Sequence, residues 1–332
     1  MKKKRILPFV IGVILAAACG QDNKNVGVVH LKGDYTEQLV LGKGTREVFL
    51  DGCNVMCDTS YALVLKNRDG VRLHIKKGTT NRLGDAGIKC KGDLEIDGKG
   101  TLTIDARNDG HKGIRVGGSL TVTGSPVIHI TTSGKATKQE EQRPPEDFMP
   151  GGPMPPMPNE RPDGKMPPMP ERRDDGPMGP PPGGFIRYDF TGATKAIKVM
   201  HNATIKGGEM TIRTSTPGAE GLEVKDTLVV AGGKIDIEAY DDGISVGKRM
   251  MVEDGDIRVL STHNDGIDVN GMPPMHHEME DVPPRYVQTG GTVRTKSTAG
   301  PPEDALDTDE TPIQHTGGIL ECDPERRERP FF

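Results

Sequence analysis

Between Gly221 and Asp309 the chain repeats itself. The step from Leu222 to Ile244 is 22 residues and that from Ile244 to Ile267 is 23. Each unit holds three short runs in which apolar and polar residues alternate, separated by turn residues. Alternation is the pattern of a half-buried strand, and a fixed period within about 20–50 residues is the pattern of a solenoid. The expected fold is all-β: a right-handed single-stranded parallel β-helix with three strands per coil, carrying Pro/Met-rich loop insertions. Inward pairs of the first strand are Leu222/Val224, Ile244/Val246, Ile267/Val269 and Leu306/Thr308. Those of the third strand are Ile235/Ile237, Ile257/Val259 and Val293/Thr295. The turn before each third strand reads Gly232-Gly233, Asp254-Gly255 and Gly290-Gly291, where Gly allows the positive φ that such corners need.

Alignment of the coils places acids in columns beside the first strand. One column reads Glu220, Asp242, Asp265, Asp304, with Asp241 and Asn264 beside it. An outward column reads Glu223, Ser245, Asp268, Asp307, and Asp309 ends a third. Stacked coils lie about 4.8 Å apart. Two carboxylates at that spacing repel by roughly 3–4 kcal/mol at an effective dielectric of 20. Such a column calls for a cation or for protons. The all-oxygen set Asp241, Asp242, Asn264, Asp265, Asp268, Asp304, Asp307 and Asp309 points to calcium, which takes oxygen ligands from neighbouring coils. The competing reading is that Asp-Gly only forms the corners.

Earlier in the chain, DAGIKCKGDLEIDGKGTLTIDARNDG and KGIRVGGSLTVTGSPVIHITTSG give two further coils with the same ladders. The outward first-strand residue there is basic: Lys89, Arg115 and then Lys198, before the column turns acidic at Glu223. Arg258 and Arg294 face outward from the third strand. Cys90 takes an inward first-strand position and reads as a buried thiol; Cys53, Cys57 and Cys322 leave their pairing open.

The expected organisation is a lipoprotein signal over 1–18, a tether and cap over 19–47, and a first solenoid part over 48–134. A disordered Pro/Met/Gly-rich insertion follows over 135–190, then a second solenoid part over 191–322 with a loop at 271–285, and a tail over 323–332. The basic start, the short apolar run and Ala16-Ala17-Ala18-Cys19 resemble a bacterial lipoprotein cleavage site, which makes Cys19 the lipidated residue. That implies an exported, membrane-anchored protein at the outer membrane, cell surface or periplasm. The mild net charge of −5 and the lack of a basic-aromatic motif speak against nucleic acid as a partner.

The order LDG…ALVLK…VRLHIKKGTTNRL, then GIKCKGDLEIDGKGTLTI, then DGI coils resembles a family of bacterial carbohydrate-binding parallel β-helix domains. The resemblance runs over Val48 to Ser133 and Lys195 to Leu320. It implies calcium-dependent, non-catalytic binding of acidic or plant-wall polysaccharide by a monomer at the cell surface. Within it, Asp242, Asn264, Asp265 and Asp268 resemble the calcium cluster of the ninth polysaccharide-lyase family. Lys89, Arg115, Lys198, Arg258 and Arg294 are the candidates to meet sugar carboxylates. The absence of Trp speaks against a broad aromatic platform for neutral glycans. Two alternatives stand beside this reading. One is a lyase that uses the same calcium for β-elimination on uronates, although no residue is marked as its base. The other is a structural or adhesive solenoid whose acids only pin the coils.

Overall fold

Alternating aliphatic residues are the reason this chain stacks rather than collapses. In the computed structural model, which describes residues 27–57, 60–84, 87–142, 187–270, 285–309 and 311–325, each alternation is a strand in parallel register with the one a coil away. The result is a β-solenoid of about eight turns, with no helix among the described residues. Nine short strands, from Leu39–Leu41 through Ile244–Val246 to Leu306–Asp307, form the first-strand sheet. Second and third strands are separate in the early coils, as in Leu94–Gly98 and Thr101–Ala106. In the later coils they run on as single bent strands, Ala203–Thr214, Thr227–Ala239 and Arg249–Ser261.

The register follows the aligned sequence. Leu222 pairs with Ile244, Ile244 with Ile267 and Ile267 with Leu306. Ile235 pairs with Ile257, and Ile257 with Val293. These side chains are essentially inaccessible and belong to one core that runs the length of the stack. Each added coil buries aliphatic groups on its neighbour, so stability accumulates coil by coil rather than around a single centre. Cys90 lies in this core, and Cys53, Cys57 and Cys90 are free thiols.

The solenoid does not break at the long insertion. Ile114 pairs with Ile197 and Ile128 with Met210, so coils on either side of it are direct neighbours. A second compact unit spans Lys138–Thr191. Its two ends, Lys138–Gln142 and Arg187–Thr191, pair as antiparallel strands. This corrects the expectation that the whole stretch 135–190 lacks regular structure: its Pro-rich part begins only at Pro144, and KQEEQ is free of Pro. The leader with Cys19, the stretch 143–186, the loop 271–284 and the tail from residue 326 lie outside the described residues.

Candidate functional site

The corner leading into the first-strand sheet carries the acids because its backbone keeps parallel hydrogen bonding through the turn. Gly221 N–H donates to the Asp242 carbonyl (2.9 Å), Gly243 N–H to Asp265 (3.1 Å) and Gly266 N–H to Asp304 (3.0 Å). Glycine is required at this step: a Cβ on Gly243 would lie 2.1 Å from Val259 Cγ1 and 2.6 Å from the Gly266 carbonyl oxygen. With that ladder intact, Glu220, Asp242, Asp265 and Asp304 occupy equivalent places on successive coils. The side chains continue the pattern. Asp265 N–H donates to Asp242 Oδ1 (3.2 Å), and Asp304 N–H to Asp265 Oδ1 (2.6 Å).

Asp242, Asp265 and Asp268 converge. One oxygen from each lies within 4.8 Å of the others, and all three residues are buried. Burial, and then repulsion from Asp241, Glu220, Asp268 and Asp265, pushes the Asp242 carboxyl up to about 10. Burial and its acidic neighbours push Asp268 up to about 8. Burial raises Asp265 to about 7 even though it accepts the Asp304 N–H. Asp241 is raised by burial against the hydrogen bond from Asn264. Asp268 also accepts a hydrogen bond from the Asn270 side chain. Within the outward column, Asp268 and Glu223 are only 6% and 3% exposed.

The remaining acids flank this triad, and Asp307 and Asp309 add to the repulsion on Asp268. Asp309, at φ 46°, pairs with the buried Arg285 (2.9 Å), and its N–H donates to Asp307 Oδ1 (2.9 Å). Lys89, Arg115 and Lys198 do stack in one column, as aligned. Lys198 is already engaged, 2.8 Å from Glu223 Oε2. Arg258 and Arg294 belong to the third-strand stack, and Arg294 is held by Glu321 (2.9 Å) and Asp256 (3.5 Å).

Next to the triad sits an ion network that sequence reasoning missed. Glu223 is surrounded by Lys195 (3.0 Å), Lys198 and Lys225. Burial alone would raise its carboxyl, but the three ammonium groups outweigh it and hold the pKa at about 2. Lys195 also pairs with Glu220 Oε1, while Glu220 Oε2 is buried without a hydrogen-bond partner. Lys112 precedes Lys195 in the same column, since Ile114 pairs with Ile197. Burial, and then Lys198, Arg115 and Lys195, lower the Lys112 ammonium to about 8. Two neighbouring columns therefore change from basic to acidic at the same coil. The signal for the inner one was present in the sequence as Lys112, Lys195, Glu220, Asp242, Asp265, Asp304.

Fold and site together define a parallel β-solenoid with a buried oxygen cluster on one corner. The family model for carbohydrate-binding domain-containing proteins matches residues 25–142 and 216–324, and the chain belongs to that family. Membership supports a carbohydrate as its partner. No curated protein and no solved structure matches the chain.

Proposed function

We propose that the protein binds an acidic polysaccharide, polygalacturonate or a pectin-like or other plant-wall chain, without converting it, and that calcium mediates the contact. The observation that carries this reading is the buried convergence of Asp242, Asp265 and Asp268 within 4.8 Å. A divalent cation there removes the repulsion that otherwise forces protons onto these groups. The donors fit the ion. All are hard oxygens, and the orphaned Glu220 Oε2 stands one coil away in the same column. Calcium, when bound, supplies positive charge to which a uronate carboxylate can add as a further ligand. Asp242, Asp265 and Asp268 would hold it, with Asn264 steadying Asp241 beside them, and Lys89 and Arg115 would offer direct positive charge to the same glycan on earlier coils.

Calorimetric titration of calcium into chelator-stripped protein tests the first half. Saturable heat is expected for the wild type and none for Asp265→Ala/Asp268→Ala; equal heats in both proteins would remove the ion from this corner. Oligogalacturonate binding that needs calcium tests the second half. Export and a lipid anchor at Cys19 belong to the same proposal on the strength of the leader sequence. They predict palmitate labelling of the wild type that Cys19→Ala abolishes.

A further inference from the structure

Beside the acid triad stands a pair of rings. Tyr240 and His263 are 23 residues apart, the spacing of one coil, and each directly precedes the acid corner: Tyr240 before Asp241-Asp242, His263 before Asn264-Asp265. Their centroids are 3.8 Å apart and their planes differ by 4°. Both are anchored. Tyr240 N–H donates to Thr214 Oγ1 at 3.0 Å. The Thr262 hydroxyl lies 3.2 Å from both the Ala239 and Tyr240 carbonyls and 2.8 Å from His263 Nδ1. The contact fixes the ring through Nδ1 and leaves Nε2 without a hydrogen bond to Thr262. His263 is exposed and Tyr240 half-buried.

We propose that this pair is the sugar-ring subsite of the corner. It takes the C–H face of the uronate residue whose carboxylate is held at the triad, with His263 Nε2 hydrogen-bonding to a ring hydroxyl. The proposal rests on the acidic-polysaccharide reading above and adds to it the residues that would recognise the ring. Stacking brings apolar C–H groups against a π face, a contact that a cation cannot provide. An imidazole held by Thr262 and stacked on the Tyr240 ring loses little further freedom when a ligand arrives. Stacking alone does not mark such a site. His30, Phe49 and His74 also stack, at 4.7 and 4.3 Å, but His74 is salt-bridged to Asp97 and the trio lies on the second-strand face, away from the acid corner. It serves as the control.

The test is calorimetry of full-length protein with a galacturonate tetramer in saturating calcium, alongside calcium alone. Tyr240→Ala and His263→Ala are expected to weaken tetramer binding at least tenfold and to leave calcium affinity within twofold. Tyr240→Phe, which keeps the ring, and Phe49→Ala, on the other face, should stay within threefold of wild type. In wild type the His263 imidazole resonances should shift on tetramer addition. Unchanged tetramer affinity in both alanine variants overturns the subsite and leaves the calcium reading standing. Calcium affinity that falls in step with tetramer affinity also overturns it, because the pair then only shapes the metal corner. Wild-type protein that binds calcium but no tetramer overturns the acidic-glycan reading and this assignment together.

Discussion

A carboxylate that is 3% exposed survives in this fold only because three lysines reach it. Glu223 is therefore the residue whose loss should be most costly outside the aliphatic core. Glu223→Gln keeps the shape but leaves Lys195 and Lys198 as buried charges with less compensation. Breaking a buried pair by removing one partner costs about 3–5 kcal/mol. A loss of that order should appear as a lower urea midpoint with an unchanged slope; a variant as stable as wild type would show that the lysines relax into water. The acid columns themselves were readable from the repeat alone, because a constant period puts Asp242, Asp265 and Asp268 side by side. Their burial was not readable, since it depends on side chains that reach across the outer face. The Glu223 network was hidden for another reason: Lys195 and Lys225 stand at other repeat positions than Glu223, and their reach to it is set by side-chain conformation rather than by the period.

At the scale of the strand and its corner, the fold rests on turns that only glycine can make. Gly233 has φ +87°, and a Cβ there would come within 2.9 Å of the Gly207 carbonyl carbon and the Gly208 carbonyl oxygen on the coil before. Gly233→Ala should cost about 2 kcal/mol or more, combining left-handed strain with a backbone clash. Because this corner joins the second and third strands and the acids sit on a different corner, calcium affinity should be untouched. A thermal midpoint that falls while the calcium isotherm stays the same would separate the scaffold from the site; a shift in both would couple them. Strand positions were legible because aliphatic alternation and Gly-Gly turns are local signals. The ring pair Tyr240–His263 carried the same 23-residue signature, but two aromatic residues at coil spacing do not announce their function until the acids beside them are seen to converge.

Over the whole molecule, two sets of buried acids make stability depend on pH in opposite directions. Glu223, held at about 2, contributes stability that is present above its unfolded value of 4.5 and lost as the pH falls through 2. Asp265, Asp268 and Asp242, raised to about 7, 8 and 10, contribute stability that is present below their unfolded value of 3.8 and lost as the pH rises through those values. Lys112, lowered to about 8, works against the second trend, but only once the pH exceeds that value, because below it the group is charged in both states. The window from pH 5 to 8 therefore reads the raised acids of this corner, the triad together with Asp241 and Glu220, without Glu223 or Lys112. In chelator, the melting temperature should fall across this window by at least about 5 °C, given that each kcal/mol moves the midpoint by about 2–4 °C in a chain of this size. Saturating calcium should flatten or reverse the slope, because the ion binds the ionised triad and stabilises it by mass action. Asp265→Ala/Asp268→Ala should flatten it without calcium. A profile in chelator that is already flat would mean that the triad does not carry the protons, one that calcium leaves unchanged would mean that it does not hold the ion, and both together would leave the corner held by its backbone ladder alone.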